Sequence, residues 1–369
     1  MNAFFLRHKK LHLWLAADLL ALSAFVLTRG NRAWMNALSD RVTAPVRRAV
    51  GSLCYRTDVS VMEVLCVLLA AFAVGYVLWS AAAVLHAAGR RLRRAYSALL
   101  GAVCIALTVY VGFCFLWGVN YYTDSFQDRS GIRAEAVSVE DLDAVTRYFA
   151  ARLRETADTV ERTQSGLFAV PRREILDEST GVYGDLDDAY PFLRFDDRVP
   201  KAVHFSRIMS RLDFTGVYCP YTGESNVNVD APACLLPSTI AHELAHQRGI
   251  ASEQECNFLS VLACTTCGKN DYAYSGWLLG YIHLGNALYK ADKTRWKAVY
   301  SSLPASVRTD LTDNNAYWDQ FRDSRVRKAS NQVYDRFLKG YGESAGLQSY
   351  GTVVDLLVVY YKTAAYAAQ

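Results

Sequence analysis

His242-Glu243-Leu244-Ala245-His246 places two imidazoles four residues apart, with a carboxylate beside the first. On a helix, positions four apart share a face, so both rings point the same way. Neutral imidazole nitrogens at that spacing suit a single Zn²⁺. Glu243 lies about 100° round the helix from His242, where it can reach a metal-held water without ligating the metal. Zinc lowers the pKa of such a water towards about 7, and a carboxylate can take its proton as it attacks a carbonyl. The expected chemistry is zinc-dependent peptide-bond hydrolysis, with Glu243 as general base and later acid. Seven histidines in 369 residues make a chance HExxH an event of roughly one per cent or less. The rival reading is therefore a membrane sensor or binding protein whose zinc site is structural or catalytically inactive.

The surrounding residues must put the motif on a helix and return a third ligand to it. Pro237 and Ser238 offer a helix start, and Ile240, Ala241 and Leu244 an apolar back face. Arg248 suits the last turn, and Gly249 is a stop that lets the chain reverse. Ser252 to Asn257 then open a second periodic run through Leu259, Leu262 and Ala263. Two carboxylates there, Glu253 and Glu255, are candidates for the third ligand. Two residues apart on a helix, they diverge by about 200°, so only one can face the metal. Glu253 is nearer the returning chain and stands four before Asn257, whose carboxamide can hold a ligand in place. Glu255 would then face elsewhere, towards a cation such as Arg248.

HELAHQRGIASEQECNFLSVLAC resembles the bacterial membrane-protein family known as domain of unknown function 3810. Gly216 to Asn228 upstream, and Asn331 to Lys339 and Ser349 to Leu356 downstream, are similar to that family's other segments. The zinc segment is similar to gluzincin metallopeptidases. The resemblance implies a zinc peptidase with a zincin-like domain. It also implies Glu253 as the ligand, since gluzincins place it four residues before an Asn or Asp. Cys256 departs from the pattern, where alanine is expected.

The remaining chain must hold this site at a membrane. The sequence is 52% hydrophobic, and its apolar residues cluster early. Leu11–Thr28, Val64–Leu85 and Leu99–Trp117 are each long enough for a hydrocarbon core of about 30 Å. The first follows basic residues as a signal peptide would, but Asp18 interrupts it and no small-residue cleavage site follows, so an uncleaved helix is expected. Asp18 should face other helices or water, and Trp117, Tyr121 and Tyr122 should lie at the headgroups. The basic stretch Gly89 to Arg94 places that loop in the cytoplasm and the domain after the third span outside it. Six arginines between Arg29 and Arg56 oppose this orientation, unless a stretch such as Val42 to Leu53 lies along the membrane surface. The expected division is an anchor over 1–121 and an extracytoplasmic peptidase domain over 122–369.

Beyond residue 122 the pattern is mainly helical, a zincin-like α+β domain with a small hairpin or edge strand before the zinc helix. Val139 to Thr163 reads as an amphipathic helix, and Pro171 to Pro200 as loops and short elements. Phe214 to Val229, with Thr222-Gly223, reads as the hairpin, making Glu224 and Asn226 candidates for a cleft wall that holds an extended peptide. Tyr274 to Tyr289 reads as a core helix, from which Tyr281 or His283 could stabilise an oxyanion. Tyr350 to Tyr366 is another apolar helix, in the core or on the membrane. Of nine cysteines, Cys66, Cys104 and Cys114 fall in the spans. Cys219, Cys234, Cys256, Cys264 and Cys267 fall in the domain, where disulfides are permitted outside the cytoplasm. Cys264 and Cys267 form a CxxC, which alone is weak evidence for metal or redox work. The expected partners are the lipid bilayer and a peptide or protein substrate. No nucleic-acid module is present, and topogenic arginines account for the net charge of +4.

Overall fold

A computed structural model describes residues 7–322, 324–341 and 350–368; Ser349 of the C-terminal motif lies outside them. The chain divides into two compact units. One comprises Met1–Arg56, Val61–Thr123 and Pro220–Gly223; the other comprises Thr57–Ser60, Asp124–Cys219 and Glu224–Gln369.

The first unit contains α1 (Lys9–Thr28), α2 (Arg32–Leu38), α3 (Ala44–Cys54), α4 (Val61–Leu85) and α5 (Arg91–Leu116). Among the described residues, α1, α4 and α5 are the three helices long and apolar enough to cross a membrane. The apolar window of α4 is 0% buried within the protein, and lipid is the solvent that suits an apolar surface of that length. The arginines 91, 93 and 94 form the opening turns of α5 rather than a loop, because arginine is a good helix former and nothing breaks the run.

Asp18 is buried and faces another helix. Thr108 on α5 donates to its Oδ2 at 2.8 Å, and Trp14 Nε1 donates to the Thr108 hydroxyl at 2.8 Å. Further along the same pair, His12 Nε2 lies 2.7 Å from the Tyr96 hydroxyl. In a low-dielectric layer, such side-chain pairs satisfy polar groups that lipid cannot. The Val42–Leu53 stretch is helical, mostly as α3. Arg47 lies over the Trp117 ring at 5.1 Å and Arg29 over Tyr122 at 5.3 Å. Two of the arginines that oppose the charge rule are thus held on aromatic faces.

The second unit is mainly helical with a small sheet. Its elements are α6 (Phe126–Ser130), α7 (Val139–Thr156), α8 (Arg172–Asp177), α9 (Gly184–Ala189), β1 (Lys201–Ala202), α10 (Ser206–Leu212), β2 (Gly216–Cys219) and β3 (Glu224–Val227). Then follow α11 (Leu236–Gln247), α12 (Glu253–Thr266), α13 (Asn270–Ala291), α14 (Lys293–Ser301), α15 (Ala305–Asp319), α16 (Arg325–Gly340) and α17 (Tyr350–Ala367). The helix α7 ends at Thr156, seven residues before its periodicity does. From there Arg162 turns back to bond the Ala157 and Gly166 carbonyls at 2.6 and 2.8 Å and the buried Asp310 at 2.9 Å.

Leu142, Val145, Phe149 and Leu153 of α7 enter one core with α11, α12, α13 and α17. Phe149 meets Trp277 edge-on at 4.9 Å, and a β-carbon at Gly280 would collide with its ring; Gly280 is therefore what lets α7 approach α13. The run from Tyr274 is a core helix as expected. Val353, Leu356 and Leu357 bury α17 in the same core.

The sheet order is β1-β3-β2. The hairpin of β2 and β3 forms as expected, antiparallel, with Val217 opposite Asn226. Its turn uses Gly223 at φ 66°, where a side chain would be strained. The unexpected strand β1 pairs in parallel with β3, which makes β3 the centre and β2 an edge.

Candidate metal centre

Both motif histidines lie on α11, opened by Pro237 in its first turn. Gly249 at φ 90° reverses the chain after the helix, and α12 begins at Glu253, so the first residue of the second helix returns to the face of the first. There Glu253 Oε2 lies 3.1 Å from His242 Nε2 and Oε1 lies 3.6 Å from His246 Nε2. Ligand atoms on a tetrahedral zinc with bonds of 2.0–2.1 Å stand about 3.3–3.4 Å apart. The two separations, one to each Glu253 oxygen, lie on either side of that value.

The other ring nitrogens decide what the inner ones present. His246 Nδ1 sits 2.8 Å from the Ile250 carbonyl, which can only accept, so Nδ1 carries a proton. His242 Nδ1 sits 3.0 Å from Asn257 Oδ1 and is held the same way. Neutral rings in these tautomers turn two Nε2 lone pairs towards a carboxylate, an arrangement that requires a cation among them, whether protons or a metal ion. Burial disfavours charge on both Glu253 and His242. The imidazoles and a tyrosine hydroxyl more than offset this for Glu253, holding its carboxyl at about 2. The carboxylate correspondingly raises His242 above its ordinary value. The donor set fits zinc.

Cys256 also approaches, and the ligand atoms of His242, His246 and Cys256 lie within 4.8 Å of one another. Its sulfur, however, stands 3.3 Å from His246 Nδ1 and 3.5 Å from the Ile250 carbonyl. This is the proton-bearing side of the ring, away from Glu253.

Glu243 is 3% exposed, and its Oε2 has no hydrogen-bond partner among the described residues. Burial first, and the Glu253 charge second, push its carboxyl up to about 8 against the pull of His242. The edge strand β2 lies against it: a β-carbon at Gly216 would collide with the Glu243 carboxyl group, so only glycine admits the carboxyl there. The Ser225 hydroxyl on β3 donates to the Glu243 carbonyl at 3.0 Å, tying the sheet to α11.

A family profile described as "Protein of unknown function (DUF3810)" matches residues 39–358. The chain belongs to this family. No curated protein and no solved structure matches it. The matched span includes both membrane-type helices α4 and α5 and every residue of the site.

Other candidates separate by position. Glu255 turns away from the imidazoles, as a residue two after Glu253 must. It accepts from the Phe126 and Gln127 backbone at 2.9 and 3.1 Å, capping α6 rather than meeting Arg248. Arg248 is instead buried on the Tyr183 ring at 3.9 Å, with Asp197 at 2.5 Å and Asp187 at 3.4 Å. Glu224 and Asn226 are buried on the central strand rather than exposed on the edge. Glu224 pairs with buried Lys201 at 2.5 Å, and Asn226 accepts from Ser60 at 2.6 Å.

Tyr281 and His283 are also two apart on a helix, so they face different ways. Burial and then the His242 charge depress His283 to about 4. Tyr281 is buried in the core against Gly285 and raised by burial and the nearby Tyr300. Cys104, Cys219, Cys234, Cys264 and Cys267 are free thiols. The CxxC pair follows helix spacing, with Cys267 Sγ on the Cys264 carbonyl at 3.4 Å.

One contact has no precursor in local sequence. Tyr334 on α16, 81 residues from Glu253, donates its hydroxyl to Glu253 Oε1 at 2.6 Å. No spacing rule links residues so far apart. The only signal was that the family-like segment Asn331 to Lys339 contains a tyrosine.

Proposed function

We propose that this protein is a membrane-anchored, zinc-dependent peptidase with a gluzincin-like centre. His242, His246 and Glu253 would hold the metal. The observation that carries this is the convergence of Glu253 on the two Nε2 atoms, with both Nδ1 atoms committed to oxygen acceptors. When bound, zinc would supply a Lewis acid that acidifies a water and polarises the scissile carbonyl.

The chain's own residues do the rest. Glu243 carries a carboxyl oxygen with no hydrogen-bond partner among the described residues, suited to taking the water's proton and returning it to the leaving amine. Asn257 and Ile250 fix the ring orientations. The edge of β2, beside Glu243, offers backbone groups along which an extended peptide could add as a further strand. The α11 and α12 pair with the β3-β2 hairpin supports a zincin-like reading of the domain. The three apolar helices would anchor it, with the second unit outside the cytoplasm.

Purified full-length protein should contain about one zinc per chain and cleave members of a mixed peptide library. Cleavage should stop on chelation and return with zinc. Histidine variants H242A and H246A should lose the metal. Protein that keeps zinc yet cleaves no peptide would instead favour a structural or sensory centre.

A further inference from the structure

We propose that Tyr334 is a positioning residue that fixes the Glu253 carboxylate for metal binding, and that the backbone corner at Asp213 sets α16 so that it can. This rests on the metal reading above. Among the described residues, Asp213 is the sole non-glycine residue with positive φ, at 69°. An aspartate tolerates that region at some cost, and such a corner persists where surrounding contacts hold it.

Here the contacts come from α16. Arg327 Nε and Asn331 Nδ2 both donate to Asp213 Oδ2, at 2.8 and 3.0 Å. The Ser330 hydroxyl donates to the Leu212 carbonyl at 2.9 Å. Arg327, Asn331 and Tyr334 follow one another at steps of four and three, so they share one face of the helix. The face that grips the corner is therefore the face that carries the tyrosine. Phe214, the residue after the corner, packs edge-on against the Tyr334 ring at 5.5 Å. The hydroxyl then reaches Glu253 Oε1 at 2.6 Å.

Ordinary core packing does not explain this placement. Leu338 is the buried side chain of α16, while Val326 and Val333 are exposed. The polar clamp acts together with the packing of Tyr334 on Phe214 to fix its rotation. A hydroxyl bonded to one carboxylate oxygen favours the ionised group and orients the other oxygen towards His242. The corner, α16 and the third ligand thus form one mechanical chain.

Zinc affinity is the direct readout, measured on full-length protein in detergent by competition with a fluorescent chelator. Y334F should weaken binding about 10–100-fold, with thermal melting of the metal-free protein little changed. Cobalt-substituted Y334F should show an altered visible absorption band. In an E253Q background, Y334F should cost nothing further, because its partner is already gone. N331A, which loosens the clamp without removing the corner, should weaken zinc in the same direction. Y334F binding zinc as tightly as wild type would overturn the inference, as would an undiminished penalty in the E253Q background. Wild type and H246A binding equally would overturn the metal reading itself, and this inference with it.

Discussion

At the scale of residues, the two carboxylates beside the histidines are pushed in opposite directions, and this gives a pH signature. Burial raises Glu243 from 4.5 to about 8, while its partners depress Glu253 from 4.5 to about 2. Between about 4.5 and 8, the metal-free folded protein keeps a Glu243 proton that the unfolded chain has lost. Stability should therefore fall as pH rises through that window. Glu253 acts in the other sense: its contribution is present above about 4.5 and is lost as pH falls towards 2. Melting temperatures of chelated protein should decline from pH 5 to 8 in wild type and decline less in E243Q. Equal slopes would mean that Glu243 is already ionised in the metal-free fold. With zinc restored, E243Q should retain the metal but lose about 10²–10⁴-fold in cleavage rate. That both histidines share one helix face, and that Glu253 and Glu255 cannot both turn towards it, were legible from helix geometry. Tyr334 and Gly216 were not, because their roles arise from contacts made only after the chain has folded.

At the scale of elements, helix periodicity located α11, α12 and α13, and turn residues located the hairpin. Strand order was not legible. The two-residue β1 has no alternating pattern of its own, and only its pairing turned β3 into a central strand and Glu224 into a buried ion-pair partner. Glu255 shows the same limit: its partners are backbone N–H groups of α6, 129 and 128 residues away, which no local rule can supply. That assignment predicts a clean separation. E255A leaves the buried Phe126 N–H without its acceptor, which costs about 1–3 kcal/mol. Melting should fall by several degrees while zinc stoichiometry stays at wild-type level. If E255A instead strips the metal as E253Q does, Glu255 belongs to the centre and the register of α12 needs revision.

At the scale of the whole molecule, the three helices long and apolar enough to cross a membrane were legible from their unbroken apolar runs. Their ends were less so, since arginine extends α5 back to Arg91. Orientation is the remaining question, and the charge pattern supplies an argument. Arg90, Arg91, Arg93 and Arg94 crowd the short connection between α4 and the body of α5, where the positive-inside rule is strongest. The competing arginines of the first connection include Arg47, buried on Trp117, and Arg29, bonded to the Tyr122 hydroxyl at 3.0 Å. Held on aromatic groups, these two need not be matched by the charge of the cytoplasmic face. We therefore expect the Arg90–Arg94 connection inside the cell and the second unit outside. A reporter active only outside the cytoplasm, fused at the C-terminus, should give signal. Replacing all four arginines by glutamine should reduce that signal, because the strongest inward bias is gone. A full cytoplasmic signal from the wild-type fusion would invert the orientation and place the second unit, with its five cysteines, in the reducing compartment.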